Sequence, residues 1–232
     1  MIKPPDPTLV LFCRRPALGV GKQRIAAATD ARFALELGER LLAAALEDAA
    51  AWQGPVVLAA ADPTDVRWLQ QRGPATAVVV AQPTGNLGER LAAVDSELRH
   101  QGQSQLHFIG SDAPLLDPDY YAQARRALAA QDVVLGPAED GGVTLMGSRV
   151  AWPALADLPW SSGELGTALD QRCRSRGLAV HQLAPSYDCD TVDVLPRLAT
   201  DLARDPRPAR QALRRWLVDA ALPALGVPER GR

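Results

Sequence analysis

Only three cysteines occur in these 232 residues, Cys13, Cys173 and Cys189, an odd number without paired metal-ligand spacing. That excludes a disulfide-stapled scaffold and a thiolate zinc site, and it fits a reducing compartment. Histidine is equally scarce. His100, His107 and His181 are scattered, which argues against a histidine-built zinc centre. No apolar run reaches the roughly 18 residues that a membrane-spanning helix needs, and no signal-peptide pattern is present, so the expected setting is cytoplasmic. A formal net charge of −2 leaves no broad basic footprint for nucleic acid. Internal repeats and low-complexity stretches are missing as well.

What is there is an ordinary globular composition, in a chain long enough for one sizeable α/β domain. Short apolar runs alternate with longer helical patterns, the mark of strands joined by crossover helices. Strands are predicted at 8–13, 55–60, 75–81, 106–110, 132–135, 143–147 and 178–183. The Ala/Leu/Glu-rich stretch from Gln23 to Trp52 predicts a helix or a helix pair, and further helices are predicted at 64–71, 87–100, 118–130 and 163–176. After Asp193 the pattern is helical to about Leu222, broken by Pro206 and Pro208, and the tail from Pro223 to Arg232 is expected to fray. In the second piece Arg207, Arg210, Arg214 and Arg215 read as the solvated face of a helix that packs through Leu213, Trp216 and Leu217. The expected organisation is one domain over 1–198, with 199–232 a C-terminal helical extension of it.

Candidate chemistry sits at the ends of the predicted strands. The first strand runs into Arg14-Arg15-Pro16-Ala17-Leu18-Gly19-Val20-Gly21-Lys22-Gln23-Arg24, and a helix follows. Backbone amides in such a turn can face a ligand, and the helix start favours negative charge. Arg14, Lys22 and Arg24 add cations, so phosphate is the expected guest; a solvated basic turn is the alternative. A Walker A loop is excluded by Pro16 and Gln23, and a dinucleotide fingerprint by Arg24 at its third glycine.

Leu106 to Ile109 reads as a buried strand that ends in Gly110-Ser111-Asp112-Ala113-Pro114. Open α/β sheets gather ligands at the carboxyl ends of their strands, and a carboxylate there suits a hard cation carrying phosphate oxygens. The same Asp112 would also serve to close a turn or cap a helix. In Gln82-Pro83-Thr84-Gly85-Asn86-Leu87-Gly88-Glu89-Arg90, Gln82 and Arg90 offer polar contacts, while Asn86 would serve as an N-cap. Glu139-Asp140-Gly141-Gly142 supplies acids that could accept a hydroxyl proton, or a simple turn. Trp160 reads as a core residue rather than a sugar platform. Asp190 in Tyr187-Asp188-Cys189-Asp190-Thr191 is either a ligand or, with Thr191, a helix cap.

In this order the blocks resemble the DUF2064 family, candidate glycosyltransferases of GT-A fold related to the nucleotide-diphospho-sugar transferases. The family's F-x-K-x-P-x-x-G-x-x-K-T-R-L loop is matched by Phe12, Arg14, Pro16, Gly19, Lys22, Gln23, Arg24 and Ile25. Its Q-x-x-G-x-L-G-x-R, G-S-D-x-P and G-P-A-x-D-G-G-Y blocks are matched from Gln82, Gly110 and Gly136. A D-x-D-T segment is matched at Asp188 to Thr191, and the likeness spans Thr8 to Leu198. Three departures stand out: Gln23 for threonine, Val143 for an aromatic residue, and Ser111-Asp112 for a full D-x-D pair.

The resemblance implies a three-layer α/β/α sandwich around a mostly parallel sheet. It implies Mg²⁺ or Mn²⁺ on Asp112 and Asp190, with Asp188 as the substitute ligand. Nucleotide or phosphate contacts fall to Arg14, Gly19, Lys22, Arg24, Gln82, Gly85, Arg90 and Ser111. Glu139 and Asp140 would face the acceptor, one of them as base. The activity implied is glycosyl transfer from a nucleotide-diphospho-sugar to a small-molecule acceptor. Nucleotidyl transfer from a nucleoside triphosphate, releasing pyrophosphate, is the alternative. A non-catalytic nucleotide-binding protein is a third, kept open by the three departures.

Overall fold

Among the described residues, 6–226 of a computed structural model, seven strands form one sheet. They are β1 (Thr8–Cys13), β2 (Val56–Ala60), β3 (Val78–Ala81), β4 (Leu106–Ile109), β5 (Val133–Pro137), β6 (Val143–Ser148) and β7 (Val180–Gln182), in the order β3-β2-β1-β4-β6-β5-β7. β6 runs antiparallel to both β4 and β5, and the other pairings are parallel. The helices are α1 (Gln23–Ala28), α2 (Ala31–Ala51), α3 (Val66–Gln70), α4 (Leu87–His100), α5 (Pro118–Ala130), α6 (Leu165–Ser175), α7 (Leu195–Asp201), α8 (Pro208–Trp216) and α9 (Leu222–Ala224).

Alternation along the strands builds the layers, because successive side chains leave a strand on opposite faces. Leu9, Leu11 and Cys13 of β1 pack with Leu42 of α2, Leu69 of α3 and Leu128 of α5. Val10 of the same strand points the other way, into a cluster with Leu91 of α4 and Leu169 of α6. A third cluster joins α1 and α2 to the C-terminal helices through Ile25, Leu37, Leu198 and Leu213. The expected three-layer α/β/α sandwich with a mostly parallel sheet is the architecture found. No helix among the described residues is long and apolar enough to cross a membrane.

Element boundaries moved where local hydrogen bonds outcompeted the pattern. The stretch after Gln23 is a helix pair: the Thr29 hydroxyl donates to Ile25 O at 2.7 Å, and Asp30 caps α2 by accepting from the Arg32 and Phe33 amides. β3 begins only at Val78, because Ala77 N donates to Pro74 O in a turn. The helix expected at 64–71 opens as a 3₁₀ turn at Pro63–Asp65 before α3. Leu222–Ala224 forms a helical turn where fraying was expected, and 227–232 lie outside the described residues.

The arginine stripe of α8 is a correction. Arg210 is fully buried, and only Arg215 of the four is exposed. Arg210 donates to Asp48 Oδ2 at 2.6 Å, Glu47 Oε2 at 3.1 Å, Pro114 O at 3.1 Å and the Ala44 carbonyl. Arg207 donates to Asp48 Oδ1 at 2.7 Å and Leu116 O at 2.9 Å, and Tyr121 donates to Asp48 Oδ2 at 2.9 Å. A charge stripe looks solvated in one dimension; here α2 supplies the facing carboxylates. The buried guanidinium is tolerable because its donors are paired.

Candidate functional site

Because β1 to β4 share one direction in their pairings, their carboxyl ends deliver the Arg14–Gln23 loop, Gln82 and Gly110–Pro114 to one edge of the sheet. The 184–191 segment is laid against that edge by backbone bonds that include Ser186 N to Pro137 O at 3.0 Å, Glu139 N to Ser186 O at 2.9 Å and, last, Cys189 N to Asp112 O at 2.8 Å. The Cys189 bond sets Asp190 beside Asp112. Lys22 Nζ then lies 2.8 Å from Asp112 Oδ1 and 2.9 Å from Asp190 Oδ1. Three charges from remote parts of the chain meet at one point. Burial works against the Lys22 charge, but the two carboxylates outweigh it and hold its pKa above the ordinary lysine value. A cap role for Asp190 is not seen: Thr191 starts the next 3₁₀ turn without a side-chain cap bond, and Asp190 pairs with Lys22.

Lys22 is reached through a wound loop. Gly19 and Gly21 have φ of +73° and +71°, and Lys22 itself sits at φ +48°. That left-handed conformation costs a non-glycine residue roughly 1–2 kcal/mol. The double ion pair opposes it, and Gln23 braces the turn by donating from Nε2 to Gly19 O at 2.9 Å. Gln23, a departure from the family pattern, thus has a structural task here.

The Lys22 junction lies between two cavities that share Phe12, Leu87, Gly110, Asp112 and Asp190. The smaller, about 350 Å³, is lined by Arg14, Lys22, Gln82, Arg90 and Ser111 among others. Gln82 is buried and donates to Ala59 O at 2.7 Å, while its Oε1 accepts from Arg90 Nη1 at 2.9 Å, aiming that guanidinium. Burial first, then the like charge of Arg14, lowers the Arg90 pKa. The larger cavity, about 670 Å³, has an apolar wall including Phe12, Phe108, Met146 and Trp160, with Asp140 and Asp188 among its acids. Arg24 lines this cavity rather than the smaller one. Trp160 packs with the core and donates to Leu155 O at 2.7 Å, yet also lines the cavity.

Three residues named from the sequence line neither cavity. Gly19 shapes the loop. Gly85 sits beneath Glu89, whose carboxylate accepts from Asn86 N while Asn86 Oδ1 accepts from Glu89 N; this capping box makes Asn86 the N-cap of α4. Glu139 is exposed and held bidentate by Arg197 at 2.6 and 2.8 Å, its carboxylate pKa lowered by that pairing. Asp140, by contrast, accepts from Gly142 N at 2.9 Å in its own turn and lines the larger cavity. Asp188 emerges more strongly than expected: burial, then Asp190 and Asp140, push its carboxyl up to about 6. Its place beside Asp190 in the sequence was the signal for it.

Asp112 and Asp190 offer hard oxygen donors aimed at one cation, which suits a divalent ion. No group of three histidine, cysteine or acidic residues among the described residues is arranged to hold a metal. Two carboxylates completed by phosphate and water is nonetheless a common Mg²⁺ arrangement.

The chain is similar to a candidate nucleotide-diphospho-sugar transferase of Desulfovibrio desulfuricans G20, with TM-score 0.84 and 22% identity over 95% of this chain and 97% of that one. It is also similar to a cytidylyltransferase of Leptospira borgpetersenii serovar Hardjo-bovis (TM-score 0.55, 9% identity, 98% of each chain). A third is 4-diphosphocytidyl-2C-methyl-D-erythritol synthase of Anaerococcus prevotii DSM 20548 (TM-score 0.52, 10% identity, 81% of this chain and 92% of that one). At such identities the likeness is one of fold. No protein of curated function matches the sequence. The profile of DUF2064, described as an uncharacterized protein conserved in bacteria, matches residues 41–162, more than half of the chain. The chain belongs to the DUF2064 family.

Proposed function

We propose that this protein is a glycosyltransferase that uses a nucleotide-diphospho-sugar and a small-molecule acceptor, with Mg²⁺ or Mn²⁺ as cofactor. The observation that carries the reading is the meeting of Asp112, Asp190 and Lys22 where the two cavities join. The nucleotide end of the donor takes the smaller cavity, where Arg14, Lys22 and Arg90 bind its phosphates and Ser111 lies at hand. The sugar and the acceptor take the larger one. Arg24, on the wall of that cavity, meets the acceptor side rather than the phosphates.

A divalent ion on Asp112 and Asp190 would neutralise charge that develops on the departing diphosphate. In the transfer, the acceptor oxygen bonds to the anomeric carbon and the bond from that carbon to the phosphate oxygen breaks, its electron pair leaving with the diphosphate. Asp140 receives the acceptor proton, since it faces the cavity and Glu139 is engaged by Arg197. The apolar wall excludes water from the reacting atoms. Cytoplasmic residence and a single domain with a helical extension belong to this reading too.

One observation favours a second reading, nucleotidyl transfer. The smaller cavity gathers Arg14, Lys22 and Arg90, and its carboxylates are Asp112 and Asp190, a charge balance that suits a triphosphate.

Purified protein incubated with sugar nucleotides or nucleoside triphosphates, with and without Mn²⁺, separates the possibilities. Slow sugar-nucleotide hydrolysis supports glycosyl transfer, and pyrophosphate release with a nucleophile supports nucleotidyl transfer. Metal-enhanced binding without turnover points to a non-catalytic protein. In Asp112→Asn, metal-dependent nucleotide binding is expected to vanish while the fold is kept; unchanged binding refutes the site.

A further inference from the structure

We propose that the Lys22 ammonium occupies the cation position between Asp112 and Asp190 in the nucleotide-free protein and so keeps a divalent ion out. This rests on the site described above as the metal-binding one. The geometry carries it: one nitrogen is within 2.9 Å of an oxygen on each carboxylate, so one oxygen of each is already paired with the ammonium. The Lys22 side chain is 10% exposed, whereas those of Asp112 and Asp190 are 46% and 42% exposed. The lysine is the buried member and the carboxylates face the groove. A divalent ion arriving alone must displace the ammonium or bind beside it, and either route sets positive charge against positive charge.

Phosphate changes that balance. Lys22 lies on the wall of the smaller cavity with Arg14 and Arg90, so phosphate oxygens bound there offer the ammonium another partner. They also offer a metal ion the ligands that two carboxylates lack. Lys22 then turns from a competitor of the ion into a donor to the same phosphates. The device makes the metal site complete only when the nucleotide is present, which protects the carboxylate pair from idle loading. The left-handed backbone at Lys22 sets the point from which its side chain leaves the loop.

The test is Mn²⁺ alone, with no nucleotide, titrated into the full chain and followed by the paramagnetic resonance signal of the free ion. Wild type is expected to bind weakly. Lys22→Met is expected to bind at least about tenfold more tightly, since a full positive charge a few ångströms from the ion is removed. Lys22→Arg keeps the charge and is expected to keep the weak binding. Adding Asp112→Asn to Lys22→Met is expected to abolish the gain, which assigns it to this carboxylate pair. Lys22→Gln is the second neutral variant should the methionine not fold.

Equal or weaker Mn²⁺ binding by a folded neutral variant overturns the proposal, as does a gain that survives Asp112→Asn. The titration uses no substrate. A failed glycosyl-transfer assay beside a tenfold gain would therefore count against the reaction and not against the lysine.

Discussion

Replacing Arg210 by methionine is the sharpest test of the packing. The side chain is fully buried, and its guanidinium pairs with Asp48 and Glu47 while donating to the carbonyls of Pro114 and Ala44. Methionine fills similar space but leaves Pro114 O without that donor and Asp48 with only Arg207 and Tyr121. Breaking a buried pair by removing one partner costs about 3–5 kcal/mol, against about 0.5 kcal/mol or less for a residue on a solvated face. The expected loss therefore ranges from about a fifth to the whole of a typical domain stability of about 5–15 kcal/mol. Urea unfolding with an unchanged slope measures it. In a double-mutant cycle with Asp48→Asn the coupling is expected to exceed about 1 kcal/mol, because the two groups share one network. A loss below about 1 kcal/mol, or strict additivity, would refute the buried network and restore the solvated stripe. Pro114 lies two residues past Asp112, so the variant is also expected to weaken nucleotide binding beyond what its stability loss explains.

Gly141→Ala would place a Cβ 1.9 Å from Gly163 O at a residue with φ +88°, so a loss of at least about 2 kcal/mol in urea unfolding is expected; a neutral result contradicts the close approach of that turn to the start of α6. His107 is buried, and burial lowers its pKa from 6.5 to about 4. Between those values the unfolded chain binds a proton that the folded chain refuses, so this contribution is complete above pH 6.5 and falls by about 3 kcal/mol as the pH drops through 4. His107→Leu is expected to flatten that acid slope in unfolding curves, and an identical slope would dismiss the account. Glu139→Gln is expected to leave turnover within about twofold while Asp140→Asn lowers it about 100-fold or more, and the reverse order would reassign the base.

Much of the frame was legible in one dimension. Alternating apolar runs and Pro/Gly punctuation located the strands, because a side-chain period of two and a missing amide are local properties. The Asn86 cap was readable for the same reason: its partner Glu89 is three residues away. The site was legible as blocks but not as an arrangement. Asp112, Asp190 and Lys22 each stood out in their blocks, whereas the salt bridges among them link loops set side by side by the sheet and the Cys189 bond to Asp112. Glu139 and Asp140 are adjacent in the chain, and only the fold sends one to Arg197 and the other to the cavity.

The amino-acid order alone thus determined the layered α/β architecture and the family, since both rest on short-range patterns and on their succession. The tertiary structure decided which charges are paired, which arginines are buried and which acid meets the groove. Coulomb energy and desolvation depend on distance through space, and separation along the chain does not encode it.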